Sequence, residues 1–474
     1  MSATTTGGVG FRSERGPVLV SIMVTMSLVA LDSTVLATAV PTIVGELGHF
    51  ALFPWLFSGY LLAQAVTTPL FAKLSDVYGR KPVILVGIAL FMVGSILCAV
   101  AWSMTALIVA RVVQGLGAGA VQPMSVTIVG DIYSLAERAR VQGYLASVWA
   151  MASVLGPTLG GVFAELGIWR GVFVLNVPLC LLAAWMMLKR FNEDVERANR
   201  PVDYRGAVLL TAALTLLVLA ILGGGQTWEW DSAASIGAFC AGGVLLAAFC
   251  FSARRATEPI LPGWVLTRRL LLTTTVVGLG VGAILIGLTS FVPTYLEGSL
   301  GVSPVQAGLA LTTLTIGWPL ASGLSGKIYL RIGFKRTAII GSAVVLTGAV
   351  ALLAVVHRPN IATVAALCFV TGCGLGLLAL PSLIAAQSSV DWDERGVVTG
   401  THMFARSLGS AVGVAVFGAI ANTIFGDGDV HTLGASAIQS GTAAVFLGVV
   451  VVAVVAGAAV LAMPSTSPHH AKDD

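Results

Sequence analysis

The chain has 474 residues, 57% hydrophobic and only 10% charged, with a net charge of +4. A soluble domain is about 25% charged, so a soluble enzyme is excluded, and the charge balance lacks the strongly basic footprint of a nucleic-acid partner. Runs of eighteen or more apolar residues recur along the chain, which marks an all-α polytopic membrane protein.

In chain order, a polar tail at 1–16 without a signal-peptide cleavage site precedes fourteen apolar runs. They lie at 17–43, 51–74, 83–101, 105–130, 141–165, 170–188, 207–225, 233–252, 270–296, 305–330, 337–356, 361–386, 397–422 and 440–463, and a short tail closes the chain at 464–474. Each can cross a hydrocarbon core about 30 Å thick. The runs are continuous rather than alternating, which argues for helices over strands. The longest hydrophilic segments, 190–205 and 253–269, are too short for a soluble catalytic or nucleotide-binding domain. With both termini placed in the cytoplasm, inside segments hold 22 of the 26 Lys and Arg residues and outside loops hold two, Arg170 and Arg358. That split fixes the orientation by the positive-inside rule and supports an even span count. Trp55, Trp102, Trp169, Trp228, Trp230, Trp264 and Trp392 fall near span ends, where an interfacial belt is expected. The six cysteines all lie within spans and read as packing residues, with no disulfide framework or metal-ligand spacing.

Span 1 carries the most informative residue, Asp32 in Leu31-Asp32-Ser33-Thr34-Val35. A carboxylate at membrane depth costs at least roughly 2.5–3.5 kcal/mol on insertion scales and marks a functional site. Arg111 in span 4 lies at a comparable depth, within reach of a long side chain, and Arg does not deprotonate. Burial and the arginine push the acid in opposite directions, so the pair reads either as a poised proton carrier or as a fixed buried ion pair. Between spans 2 and 3 stands Ala72-Lys73-Leu74-Ser75-Asp76-Val77-Tyr78-Gly79-Arg80-Lys81, with Asp131 at the inner end of span 4 a partner for Arg80 and the N-terminus of span 13 near Gly396 a partner for Asp76. These charges read as a latch, or as topology signals alone. Gly115-Leu116-Gly117-Ala118-Gly119 sits inside a span without a preceding strand, so it is no dinucleotide loop. Span 5 contains Gly156-Pro157-Thr158-Leu159-Gly160-Gly161, whose bare faces allow close helix approach. Tyr60, Gln64, Trp149, Met151, Phe291, Tyr295 and Trp318 combine aromatic area with a few polar tips and are candidates for an amphiphile-binding cavity. Arg406 in span 13 has no acid in the membrane around it. It faces either water and an anionic substrate or the backbone carbonyls of the cytoplasmic mouth, while His402, one turn earlier, reads as a structural polar group.

The chain repeats itself at an offset near 254 residues. Leu70, Lys73, Gly79, Lys81 and Gly87 match Leu324, Lys327, Gly333, Lys335 and Gly341; Gly115, Gly117 and Gly119 match Gly372, Gly374 and Gly376; Leu155-Gly156 and Gly160 match Leu408-Gly409 and Gly413. The pattern predicts two six-helix halves as parallel repeats, 17–190 and 270–463, joined through 191–269 with an inserted pair of spans, and a substrate site near the midplane between the halves. The halves differ in chemistry, because spans 9–14 contain no midmembrane carboxylate.

With these motifs in order, nearly the whole chain resembles the major facilitator superfamily, and more narrowly its fourteen-helix drug:proton antiporter family. The span 1 signature with Ala39-Val40-Pro41, the loop from Ala72 to Lys81, Arg111-Val112-Val113-Gln114-Gly115 and the Gly156 to Gly161 motif carry the resemblance; Ala72 departs from the usual Gly. It implies a major facilitator fold and proton coupling at Asp32 and Arg111. It also implies a conformational latch at Asp76, Arg80, Lys81 and Asp131, and an antiporter motif at Gly156, Pro157, Gly160 and Gly161. The expected activity is not enzymatic: proton-driven export of small amphipathic molecules through the plasma (inner) membrane by alternating access, by a monomer that needs no cofactor beyond the proton gradient. The alternative cargo is a native metabolite, siderophore, peptide or lipid.

Overall fold

The computed structural model describes residues 10–48, 52, 54–193, 203–224, 228–257, 259, 261–425 and 434–465. Among them twelve helices are long and apolar enough to cross a membrane. Pro54–Tyr78 and Arg395–Phe425 are also long helices, of 25 and 31 residues, but stand outside that set. The chain folds as two compact units, 1–202 with 391–400, and 203–390 with 401–474. The inserted pair of spans therefore groups with the second unit, and the first residues of span 13 group with the first.

The first unit contains α1 (Gly16–Leu47), α2 (Pro54–Tyr78), α3 (Arg80–Ala99), α4 (Met104–Ile132), α5 (Leu135–Glu165), the short α6 (Gly171–Val174) and α7 (Asn176–Arg190). Ser103 caps α4 by accepting the Ala106 N–H, and Ser134 with Glu137 forms a capping box on α5. The glycine run of α4 sets the packing. A Cβ on Gly115 would lie 2.4 Å from the Tyr60 carbonyl oxygen, and one on Gly119 would lie 2.1 Å from Thr67 Oγ1, both on α2. A Cβ on Gly117, between them, would lie 2.4 Å from the Phe91 nitrogen of α3. Residues four apart share a helix face and the one between them points away, so α4 is bare on two faces and two neighbours close onto it.

The second unit contains α8 (Tyr204–Gly223), α9 (Ala233–Ala253), the short α10 (Trp264–Thr267), α11 (Arg269–Leu300), α12 (Pro304–Ile332), α13 (Phe334–Val355), α14 (Ile361–Gln387), α15 (Arg395–Phe425, from Thr401 onward) and α16 (Ala435–Ala462). Here α14 is the helix bared by glycine. Gly372 and Gly376 abut the carbonyls of Leu314 and Trp318 on α12, and Gly374 abuts Val345 on α13. The apolar core of this unit gathers residues such as Val281, Leu288, Leu314, Val345, Leu375 and Phe446 from α11, α12, α13, α14 and α16.

Two tryptophans assigned to an interfacial belt have partners inside the protein. Trp169 is fully buried in an apolar cluster with Leu36, Leu107 and Phe173. Trp392 lies beneath a guanidinium, 4.2 Å from Arg80 Cζ to the ring centroid. Trp102, 80% exposed, has the exposure an interfacial residue requires.

Candidate functional site

Asp32 stands in the middle of α1 and is 1% exposed. Its carboxylate accepts three hydrogen bonds: Arg111 Nη1 donates to Oδ2 at 2.6 Å, and Gln114 Nε2 and Asn176 Nδ2 donate to Oδ1 at 2.9 and 3.0 Å. Arg111 is satisfied on its other sides. Nε donates to the Leu56 carbonyl at 3.2 Å, Nη1 also donates to Gln114 Oε1 at 2.6 Å, and the guanidinium lies 4.1 Å above the Tyr60 ring. Gln114 further donates to Ser95 Oγ at 2.9 Å. Every one of these side chains is buried. The result is one polar network joining α1, α2, α3, α4 and α7, in which the acid and the guanidinium neutralise each other.

Local packing explains why the network closes. A Cβ on Gly94 would fall 2.4 Å from the Gln114 backbone nitrogen, so the missing side chain lets α4 bring Gln114 against Ser95. Asn176 is the first residue of α7, just after the chain leaves α6 at Leu175. Leu175 keeps helical backbone angles, so α6 and α7 run on as one span that carries the amide beside α1. Sequence reasoning paired Asp32 with Arg111 but passed over Gln114, Asn176 and Ser95. Gln114 lay inside a quoted motif, and Asn176 is an amide among apolar neighbours in span 6.

A second polar cluster lies at the positively charged end of the first unit. Arg80, fully buried, donates from Nη1 to Asp76 Oδ1 at 2.5 Å, from Nε to Asp131 Oδ2 at 3.0 Å and from Nη2 to the Trp392 carbonyl at 2.6 Å. The Asp76 carboxylate in turn accepts the Gly396 N–H at 3.0 Å and the Val397 N–H at 2.8 Å, at the N-terminus of α15. Helix N-termini expose unpaired N–H groups and attract anions. A Cβ on Gly396 would stand 2.4 Å from Asp76 Oδ1, so only glycine allows this approach. Arg395 Nη1 donates to Asp131 Oδ1 at 3.2 Å, leaving two acids and two bases in balance. Ala72, the departure from the motif, faces Gly400, whose own Cβ would meet it at 2.3 Å. Lys81 is not in this cluster: its Nζ donates to the Leu188 carbonyl at 3.0 Å. The Glu193 carboxylate, absent from the sequence expectations, accepts the backbone N–H groups of Arg80 and Lys81, both at 2.9 Å, and caps α3.

The other expected residues lie within one unit or the other. Gly156 of α5 meets Thr34, two residues from Asp32, where a Cβ would lie 2.0 Å from Thr34 Oγ1. Gly160 is buried, Gly161 has open space beside it, and the side chain of Pro157 lies outside the described residues. Tyr60 is buried beneath Arg111. Tyr295 is fully buried and donates to the Val356 carbonyl at 2.8 Å. Gln64 donates to Gln122 Oε1 at 2.6 Å. Trp149, Phe291 and Trp318 are half-buried against the two main apolar clusters, and Met151 is exposed. Tyr60 and Tyr295 are thus packed inside their own units. Arg406 is half-buried, and among the described residues no carboxylate lies within ion-pairing distance of it. His402, one turn before it, is 6% exposed, and its Nδ1 has no hydrogen-bond partner.

At the opposite end of the first unit, Glu46 clamps the α5–α6 connection. Trp169 Nε1 and Arg170 Nη1 each donate to its carboxylate at 2.6 Å, and Arg170 stacks on Trp169 at 4.3 Å. These donors hold the Glu46 carboxyl below its ordinary range, Arg170 first and then Trp169.

Comparison with known proteins agrees with this geometry. The sequence model described as "Major Facilitator Superfamily" matches residues 22–414, and again 270–473. "Multidrug resistance protein 3" of Bacillus subtilis (strain 168) is 33% identical over 410 residues, 86% of this chain and 80% of that protein. "Multidrug transporter protein MdtP" of the same organism is 31% identical over 418 residues, 88% of this chain and 77% of its own length. The solved structure of the proton:xylose symporter XylE superimposes with a TM-score of 0.65 at 14% identity, over 95% of this chain and 96% of that one.

Proposed function

The chain belongs to the Major Facilitator Superfamily, and from that premise we propose that it is a fourteen-helix proton-coupled antiporter that exports lipophilic or cationic drugs. It is a multi-pass membrane transporter and not an enzyme. The relatives named as multidrug proteins, at about one-third identity over most of the chain, support drugs as cargo. The matching glycine contacts of α4 and α14 support the two parallel six-helix repeats, with α8 and α9 as the inserted pair.

The observation that carries the coupling step is the buried Asp32–Arg111 pair at 2.6 Å. In the proposed cycle Asp32 takes and releases the proton, Arg111 compensates its charge, and Gln114 and Asn176 position it. The cluster of Asp76, Arg80 and Asp131 acts as the cytoplasmic latch. It holds the N-terminus of α15, whose remaining length belongs to the second unit. The protein works as a monomer in the plasma membrane with both termini in the cytoplasm. One proton moving through ~150 mV supplies about 3.5 kcal/mol, which supports a cargo gradient of a few hundredfold at about 1.4 kcal/mol per tenfold. With Asp32 the one midmembrane carboxylate read from the sequence, one proton per cycle is the economical stoichiometry.

A second reading keeps the machinery and changes the cargo to a native metabolite. Arg406 favours it, because a half-buried cation with no counter-charge among the described residues suits a substrate that carries an acid. The test is efflux from energised inverted vesicles, with ethidium as the cationic probe and Asp32→Asn as the comparison. Proton-driven uptake that disappears in the variant is the expected result. Unchanged proton-driven uptake would remove Asp32 from the coupling step.

A further inference from the structure

The inserted pair α8–α9 has no part in the site above, yet it carries two arginines that share one cavity. A cavity of about 210 Å³ is lined by Arg205, Leu209, Ala248, Phe251, Ser252 and Arg255. Arg205 is in the first turn of α8, and Arg255 lies two residues beyond the end of α9. The two helices are consecutive and pack together, so both arginines reach the same end of the pair. Among the described residues neither arginine has a carboxylate within ion-pairing distance. Asp203, two residues before Arg205, caps α8, with Oδ1 accepting the Gly206 N–H at 2.8 Å, and Glu258, three residues after Arg255, lies outside the described residues.

The surroundings decide what these charges recognise. The Arg255 guanidinium lies 4.1 Å above the Phe251 ring, which is itself exposed, and Tyr204, Val208 and Val244 are exposed along the same pair. Two guanidinium groups, the hydroxyl of Ser252 in the same lining and the exposed apolar side chains beside it match a phosphodiester with attached acyl chains. Basic pockets between membrane helices take lipid headgroups. The volume is below the roughly 300–1,000 Å³ of a drug-sized pocket.

We propose that Arg205 and Arg255 form a binding site for the phosphate headgroup of an anionic membrane phospholipid, seated at the end of the inserted helix pair. The site gives that pair a role: it fixes the two added helices to the surrounding lipid, independently of the transport step. Ser252 adds a hydroxyl donor, and the exposed faces of Phe251 and Val208 carry the acyl chains.

Native mass spectrometry of the purified full chain tests this, with phosphatidylglycerol, phosphatidylcholine or inorganic phosphate added to delipidated protein. Wild type retains a first phosphatidylglycerol more tightly than phosphatidylcholine, and millimolar inorganic phosphate does not displace it. At about 1 kcal/mol per arginine near an anionic lipid, the Arg205→Gln/Arg255→Gln variant binds that first lipid about thirty-fold more weakly. Arg205→Lys/Arg255→Lys keeps the charge and loses the forks, so it falls between the two. Should the glutamine pair fail to fold, Arg255→Gln alone asks the same question at about fivefold. Equal affinity of wild type and glutamine variants for phosphatidylglycerol overturns the proposal. Displacement of the lipid by inorganic phosphate also overturns it, since the site is then one for free phosphate.

Discussion

Replacing Asp32 by Asn is expected to destabilise the protein more than removing the whole ion pair. The amide can keep one oxygen in the place of Oδ1, where it still accepts from Gln114 and Asn176. Its NH₂ then stands where Oδ2 was, 2.6 Å from Arg111 Nη1, donor against donor. Flipping the amide only moves the conflict to Gln114 and Asn176. Breaking one side of a buried ion pair costs about 3–5 kcal/mol, because the remaining charge is left without compensation. Arg111 keeps the Leu56 carbonyl, Gln114 Oε1 and the Tyr60 ring, which places the cost near the low end, about 3 kcal/mol. In Asp32→Asn/Arg111→Gln the stranded charge is gone, so much of that loss returns. Thermal unfolding of the purified proteins should rank wild type first, the double variant second and Asp32→Asn last. The coupling between the two sites should fall in the range of about 0.5–3 kcal/mol seen for contacting residues. Additive effects, or a single variant as stable as wild type, would refute the claim that the two charges hold each other in place.

Gly396→Ala should loosen the segment that joins the first unit, since its Cβ would stand 2.4 Å from Asp76 Oδ1 and 2.7 Å from the Ala72 carbonyl. Forcing such contacts costs roughly 1–3 kcal/mol. Trypsin should then cleave at Arg395 faster than in wild type, and unchanged protection would show that the backbone contact is dispensable. At the other end, the Glu46 carboxyl is held below its ordinary value by Arg170 and Trp169. Its stabilising contribution is therefore fully present above the ordinary glutamate range near pH 4.5 and is lost as pH falls through the lower folded value. Acid titration of tryptophan fluorescence should show a component below pH 4.5 that Glu46→Gln removes, and identical titrations would dissociate Trp169 from the carboxylate.

What was legible in the sequence was what carries formal charge or breaks a pattern. Asp32 and Arg111 stood out because an ion among apolar residues is costly, and counting depth along two antiparallel spans was enough to pair them. Asp76 reached Gly396, and Arg80 reached Asp131, for the same reason: charges at span ends have few partners to choose from. Gln114 and Asn176 did not stand out, because a neutral amide in an apolar run is cheaper and gives no signal until a neighbouring helix is placed beside it. The Glu46 clamp was hidden by a rule that misled: Trp169 sits at a span end, where tryptophan ordinarily faces lipid headgroups, yet here it is buried and points its N–H at an acid. The cavity residues were chosen for chemistry alone, and chemistry does not say which face of a helix a side chain occupies. Tyr60 went to a guanidinium and Tyr295 to a backbone carbonyl.

The hydrogen-bond count around Asp32 constrains how a proton could reach it. An ionised carboxylate offers about four acceptor positions, and three are taken by Arg111, Gln114 and Asn176. The position left open is the second one on Oδ2, and a proton bound there neutralises the carboxylate that faces Arg111. The Leu56 carbonyl, Gln114 Oε1 and the Tyr60 ring still hold the guanidinium once that charge is gone. Gln114 touches both charges, so the departure of one is felt by the other. The contact of Gly156 with Thr34, two residues along α1, ties the same turn to α5. In the proposed cycle, protonation and helix movement are then linked: a proton on the open position of Oδ2 removes the charge pair that holds α1 and α4 together.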